Sequence, residues 1–468
     1  MKILLLIVLL ISVFINPIIA QKDTCTQKVT ISEIKIYGNK KTKDFIIKRE
    51  LTFAVGDTLC RHELSKKNKE NKINLLKTPL FNDVLIYSEN IGENQIKINI
   101  KVTERWYLWP DVRLDYADRN FSVWWKNRDF SRTDIGGGIM KYNFRGRNER
   151  LYFYAIFGYN QTFALSYSGL YLDKKRQHSI SYDIKYLTRK ETVFDILNNQ
   201  TAQIKLDDEN ILQSLKTSIG YKIRKKIHVS HDFYFGYENR QVADTLLVIN
   251  PDYFVDNIKK AEYFFIRYIF INDKRDRRIF PVGGYKFSVV FNKLGLGILQ
   301  NGNINFAYIV PKFSKYTSLS KRFSISNNIT GKKSIGNKQP FFLESALGMG
   351  DNIRGFEYYQ INGTDFILTN NSINFELLPQ KTFKLGIIPF SQFNKIPLSM
   401  FLSINFDAAY VFNTNEKYSE NNSYVNTPLY SSGISLNIIS YYDTLIRLEY
   451  SLTNFLQHGF FIHFSAAF

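Results

Sequence analysis

Phe460-Phe461-Ile462-His463-Phe464-Ser465-Ala466-Ala467-Phe468, the last stretch of the chain, decides the fold. Phe460, Ile462, Phe464, Ala466 and Phe468 share one face of an extended strand, while His463, Ser465 and Ala467 take the other, because successive strand side chains point to opposite sides. A chain ending on an aromatic inside such a strand, with no polar tail, predicts closure of a β-barrel by its final strand.

Working back from that end, the same period recurs. Leu402, Ile404, Phe406, Ala408, Tyr410 and Phe412 alternate with Ser403, Asn405, Asp407 and Ala409. Ile446, Leu448 and Tyr450 alternate with Arg447 and Glu449. Tyr285 to Phe291, Phe163 to Tyr167 and Val112 to Tyr116 read the same way. One apolar face and one polar face, repeated, is the signature of a membrane barrel. About 360 residues follow Trp106, and roughly 20–24 residues per strand and turn predicts about 16 antiparallel strands. Asp273 to Gly284, Asn327 to Pro340 and Asn413 to Pro428 are predicted as hairpin connections, and Gly348 to Asn370 as a long loop.

Residues 30–104 break the pattern. They read as strand, helix, helix, strand, strand: an alternating strand ending at Gly38-Asn39, a short helix capped by Thr42, a turn at Val55-Gly56-Asp57, and a charged helix from Arg61 to Leu76 burying Leu64, Ile73 and Leu76. A hairpin across Glu93-Asn94 follows. Two helices on one face of a small sheet make a small α+β domain in front of the barrel.

Met1-Lys2, an apolar core from Ile3 to Ile19 and a small residue at Ala20 make residues 1–20 a signal peptide. Nothing later approaches the ~20 apolar residues of a membrane helix, which leaves strands to cross lipid. The aromatic share of 16%, with 39 Phe and 30 Tyr, suits strands and membrane interfaces. The formal charge of +20 is spread over short clusters such as Lys66-Lys67 and Lys174-Lys175-Arg176, without a recognition-helix pattern, so nucleic acid is excluded as a partner. Lumen-lining charge and contact with anionic headgroups remain as its two explanations. Cys25 and Cys60 are the only cysteines. In an exported domain they are either a disulfide or two independent thiols.

The most specific motif is Gly348-Met349-Gly350-Asp351-Asn352-Ile353-Arg354-Gly355-Phe356. With the front domain and the terminal aromatic strand, it resembles the Omp85 superfamily of outer-membrane assembly and translocation proteins, also called the bacterial surface antigen family. Residues 21–105 resemble one POTRA domain with its Gly38-Asn39, and residues 106–468 resemble the sixteen-stranded barrel. Ile353-Arg354-Gly355-Phe356 matches the family's sixth-loop tetrad. Asp273-Arg275-Asp276, with Pro281 and Gly283-Gly284, resembles its mid-barrel signature. A buried guanidinium needs a carboxylate, and alternation puts Asp407 and Glu376 on the polar face, so both are candidate partners of Arg354.

The resemblance implies an outer-membrane protein of a Gram-negative-type bacterium, with a periplasmic front domain. It implies a role in assembling outer-membrane proteins or translocating polypeptides. Its partners would be unfolded client chains, the lipid bilayer and periplasmic or lipoprotein accessory subunits. It implies no enzyme activity, catalytic residue, cofactor or metal. A single POTRA-like domain departs from the five, three or two of the better-known branches, which predicts a specialised member. The one-domain relatives that carry a lipase have a Gly-x-Ser-x-Gly elbow ahead of that domain, and this sequence has none there. A passive pore for small solutes, with the front domain as a docking module, is the alternative reading.

Other residues carry less. His228 and His231 face opposite sides of a strand, and His458 and His463 lack companions, so no metal site is expected. Gly136-Gly137-Gly138 lacks the Gly-Lys-Ser/Thr of a phosphate loop and is read as part of a strand. Trp106, Trp109, Trp124 and Trp125 are read as an interfacial belt and domain junction.

Overall fold

Two main sheets of unequal size, with two short hairpin pairs beside them, make up the described residues, and the smaller main sheet precedes the larger along the chain. The computed structural model describes residues 25, 27–116, 133–206, 208–299, 304–336, 339–387, 389, 393–413 and 422–466. The signal peptide, Trp124, Trp125 and the terminal Phe468 lie outside them.

The front domain runs β1 (Lys28–Tyr37), α1 (Asp44–Lys48), β2 (Thr58–Cys60), α2 (Arg61–Lys77), β3 (Phe81–Asn90) and β4 (Gln95–Glu104). Its sheet has the order β2-β1-β4-β3, with β1 and β4 parallel. Ile31, Ile46, Ile47, Leu75, Phe81, Ile98 and Ile100 are fully buried in one core. Burying each such side chain contributes about 1.5–3 kcal/mol. Gly38 ends β1 at φ +86°, and a Cβ there would overlap the Val102 carbonyl, which explains the glycine of the Gly38-Asn39 stop. Cys25 and Cys60 are joined in a disulfide.

Two local expectations change. Thr42 does not cap α1, whose N-cap is Lys43 without a side-chain cap. Its hydroxyl instead donates to Glu104 at 2.6 Å and accepts from Asn143 at 2.8 Å. Along α2 the buried residues are Leu64, Asn71, Asn74 and Leu75 rather than Ile73 and Leu76. The two asparagines earn that burial by bonding loop backbone: the Thr52 N–H donates to Asn71 Oδ1, and Asn74 donates to the Glu50 carbonyl.

The large sheet begins with β5 (Leu108–Tyr116), β6 (Thr133–Phe144), β7 (Glu149–Gly158), β8 (Gln161–Tyr171) and β9 (His178–Arg189). A side hairpin, β10 (Glu191–Leu197) and β11 (Gln200–Lys205), follows. Then come β12 (Leu212–Lys226), β13 (Val229–Val242), β14 (Lys260–Asp273), β15 (Gly284–Leu294), β16 (Phe306–Ser318) and β17 (Phe323–Ile335). A minimal pair, β18 (Ser345–Leu347) and β19 (Ile361–Asn362), precedes β20 (Asp365–Lys384), β21 (Lys395–Phe412), β22 (Pro428–Ser440), β23 (Thr444–Thr453) and β24 (His458–Ala466).

Sixteen of these strands form one antiparallel sheet among the described residues, from β24 at one end to β5 at the other. The sheet is not closed into a barrel: β5 and β24 are its two ends and do not pair with each other among the described residues. This corrects the expectation of a closed transmembrane barrel. The alternation of Phe460, Ile462 and Phe464 is present, and all three are exposed on one face. Alternation, however, reports which face a side chain takes, and an edge strand satisfies it as well as a paired one.

The apolar set faces outward, with Ile135, Ile219, Ile404 and Ile462 all exposed, whereas Ser403, Asn405 and Asp407 are buried on the other face. Two connections also differ from expectation. Asn327 to Ile335 belongs to β17, and Asp365 to Asn370 to β20, so the long loop shrinks to residues 348–360. Asparagine, glycine and lysine there mimic turn chemistry, but they alternate as the polar face of a strand.

The sheet is strongly curved. The connections β6–β7, β8–β9 and β22–β23 meet the front domain through Gly146, Arg176 and Asp443, and the ends of β12 and β14 meet it through Arg224 and Asp273. Strands spread over nearly the whole sheet reach one small domain only if the sheet bends around it.

Candidate functional site

The loop from Gly348 to Gln360 lies across the polar, concave face. Its ends are drawn together by the β18–β19 pairing, Ser345 opposite Asn362 and Leu347 opposite Ile361. Ile353 and Phe356 are buried in a cluster with Leu368, Val411, Tyr424 and Leu429. Phe356 meets Tyr424 edge-on at 5.3 Å. Two apolar anchors thus flank the residue between them, Arg354.

Arg354 spends its whole fork on β20 and β21. Nε donates to Asp407 Oδ2 at 2.8 Å, and Nη2 donates to Asp407 Oδ1. Nη1 donates to Ser372 Oγ at 3.0 Å, and Nη2 also to the Asn371 carbonyl at 2.9 Å. The Arg354 backbone N–H and Asn370 Nδ2 donate to the same carboxylate, at 3.1 and 2.7 Å. Asp407 is 1% exposed. A bidentate, charge-assisted pair with both carboxylate oxygens engaged is the arrangement a buried carboxylate requires.

Glu376, the other candidate, is not among these partners. Asn370 stands opposite Asp407 in the register and Glu376 opposite Phe401. Six residues of strand, about 20 Å, separate the two positions. Both carboxylates share a face, which is all that alternation specifies.

The loop is held at further points. Lys312 on β16 pairs with Asp351 at 2.5 Å, and His463 on β24 lies 3.6 Å from Glu357. At its far end the Gln360 N–H donates to the Asn199 carbonyl, at the tip of the β10–β11 hairpin, and the Asn199 N–H donates to Asn422 Oδ1. Gly355 sits at φ +86°, where a Cβ would approach Thr453 Cγ2 to 3.0 Å and the Cβ atoms of Ser451 and Ser431 to 3.4 and 3.5 Å. Gly355→Val is therefore expected to cost about 1–2 kcal/mol through the left-handed backbone alone. Faster limited proteolysis within residues 348–360, with the rest of the chain resistant, is the expected readout.

A second constellation joins the front domain to the sheet. Arg224 on β12 forks onto Glu50, Nη1 to Oε1 at 2.7 Å and Nη2 to Oε2 at 2.8 Å. Arg49 adds a bond to Glu50 at 3.1 Å and donates to the Tyr171 hydroxyl at 2.7 Å. Burial alone would raise the Glu50 carboxyl, but Arg224 and then Arg49 override it and hold it below the ordinary range. Lys77 pairs with Asp273, and Arg105 with Asp443 at 2.9 Å. Trp109 packs edge-on against Tyr442 at 4.9 Å, and the Trp106 N–H donates to the Tyr442 hydroxyl.

The remaining sequence candidates stay apart. His228 lies in the β12–β13 connection, and His231 on β13 stacks against Tyr268. Gly136 to Gly138 lie within β6. Among the described residues no group of three His, Cys, Asp or Glu side chains could hold a metal ion, and no helix is long and apolar enough to cross a membrane.

With this geometry in place, the comparisons with known proteins are decisive. The pattern described as Omp85 superfamily domain matches residues 143–454. The chain belongs to the Omp85 superfamily. Its front part, residues 29–105, matches the POTRA pattern, described as a surface antigen variable number repeat.

Outer membrane protein assembly factor BamA of Nitratidesulfovibrio vulgaris is 23% identical over 346 residues, 72% of this chain and 39% of that protein. The chain thus spans about two fifths of the length of the curated relative it matches. Among solved structures, BamA from Haemophilus ducreyi lacking POTRA domains 1–3 superposes with a TM-score of 0.50 at 18% identity, covering 93% of this chain and 84% of that one. CdiB from Escherichia coli gives 0.53 at 11% identity, covering 93% and 76%. Both likenesses are of fold.

Several members of this Omp85 site were missed in the sequence. Asn370 and Ser372 look like turn formers, and Glu50 and Arg224 are ordinary surface types separated by most of the front domain and several strands. Only register places the first pair beside Arg354, and only docking of the two sheets brings the second together.

Proposed function

We propose that the protein serves the assembly and insertion of outer-membrane proteins, or the passage of polypeptides across that membrane. Its POTRA domain, residues 21–105 after a signal peptide, would lie on the periplasmic side of the outer membrane of a Gram-negative-type bacterium, and residues 106–468 would form the membrane part. The observation that carries this reading is the Arg354 loop, tied to Asp407 on the concave face of a chain whose front domain is a POTRA domain. The outer edges of β5 and β24, unpaired among the described residues, support it further. A row of free N–H and C=O groups templates an incoming extended chain. The exposed apolar face gives lipid a surface to meet. Client polypeptides and periplasmic or lipoprotein subunits are the partners this reading requires.

Depleting the protein and measuring the outer-membrane proteome tests it. Selective loss of particular outer-membrane or surface proteins is the expected result. An unchanged proteome with reduced uptake of small solutes would replace this reading with that of a passive pore.

A further inference from the structure

Between the front domain and the concave face of β7 to β14 lies a cavity of about 550 Å³ whose walls are far from electrically neutral. Arg49, Lys77, Arg150, Arg176, Lys222 and Arg224 line it, against the carboxylates of Glu50 and Asp273 alone. Those carboxylates are already taken, Glu50 by Arg224 and Arg49 and Asp273 by Arg275 and Lys77. Lys222 is balanced by Asp232 just behind the wall, at 3.2 Å. Arg150 and Arg176 have no carboxylate partner among the described residues; Arg176 lies over the Phe45 ring at 3.5 Å. Burial, with Lys77 nearby, holds His228 below its usual range, so it adds no charge near pH 7.

Uncompensated guanidiniums are tolerated on an open surface, where water solvates them. In a recess the same charges are less screened and raise the local concentration of anions. The planar fork of arginine fits two oxygens of one tetrahedral anion, and two forks lining one cavity suit a phosphate group better than a lone carboxylate. The volume lies in the range of ligand sites, ample for a phosphorylated headgroup as well as for free phosphate.

We propose that this junction cavity is a binding site for a phosphate-bearing anion, with Arg150 and Arg176 as its principal contacts. Arg49 and Arg224 stay with Glu50 and shape the site. The proposal stands on these residues alone, whether or not the protein handles polypeptides. Its ligand draws on one chemistry with two sources, a soluble phosphate or the headgroup of an anionic phospholipid.

The test uses the full chain in a neutral detergent, titrated by calorimetry with inorganic pyrophosphate and, separately, with a water-soluble short-chain phosphatidylglycerol. Saturable binding of at least one probe is expected, weakened tenfold or more in Arg150→Gln and in Arg176→Gln. Pyrophosphate alone would identify a soluble source, and tighter binding of the lipid a headgroup. A readout that needs no variant is modification of arginines by phenylglyoxal, followed by mass spectrometry. Bound probe should protect Arg150 and Arg176 and leave Arg322, on the β16–β17 connection, unprotected. No saturable binding of either probe, binding unchanged in both variants, or no protection of the two arginines would each overturn the proposal.

Discussion

Replacing Arg354 by alanine is expected to free the loop at residues 348–360 and abolish activity while leaving most of the large sheet folded. Asp407 is fully buried, and the Arg354 side chain is 12% exposed. Removing one member of such a pair leaves an uncompensated buried charge, at a cost of about 3–5 kcal/mol. The loss falls mainly on the loop, because Asn370 still donates to the carboxylate and the β20–β21 ladder is untouched. Asp407→Asn should be milder, since Ser372 and the Asn371 carbonyl continue to hold the guanidinium. Limited proteolysis of the loop, thermal unfolding and complementation of a depleted strain measure the three parts separately. Equal activity of Arg354→Ala and the wild type would remove the loop pin from the mechanism.

Glu50→Ala should release the front domain from the sheet. Glu50 is 1% exposed, so its loss leaves Arg224 and Arg49 facing each other across a buried gap, again at about 3–5 kcal/mol. Trypsin should then cut at Arg105, which the Asp443 contact otherwise shields, and liberate an intact small domain. Acid should mimic the variant. The folded Glu50 carboxyl is held below its unfolded value, so its contribution is whole above the ordinary 4.5 and is lost as pH falls through the folded value. Exposure of the junction, followed by the fluorescence of Trp106 and Trp109, should therefore rise as pH falls below that range in the wild type. Glu50→Ala should show no such dependence from this group. A junction equally protected in wild type and Glu50→Ala would show that the ion pair does not hold it.

Much of this architecture is written in period and punctuation. Alternation in Leu402 to Phe412 places β21 and its polar face, and Arg354 announces itself as a charge flanked by two apolar anchors. What alternation lacks is any record of the neighbour beyond the edge, so the same Phe460 to Phe464 pattern predicts closure that the strand order does not show. It is equally blind to distance along a strand, which is why Asp407 and Glu376 look equivalent. Thr42 shows the other gap: the residue has a capping chemistry, but a carboxylate more than sixty residues away outcompetes the helix end for its hydroxyl.

The seating of the front domain carries a consequence for the order in which the chain acquires its shape. Its own β3–β4 hairpin and helices join near neighbours, the kind of contact that forms fast. Its bonds to the sheet join residues separated by 101, 127, 174, 196 and finally 338 positions. Longer chain closures cost more entropy and come later unless something already waits at the meeting point. A small domain built on local contacts offers such a meeting point to each hairpin in turn. The last clasp, Arg105 to Asp443, can form only when the penultimate hairpin has arrived.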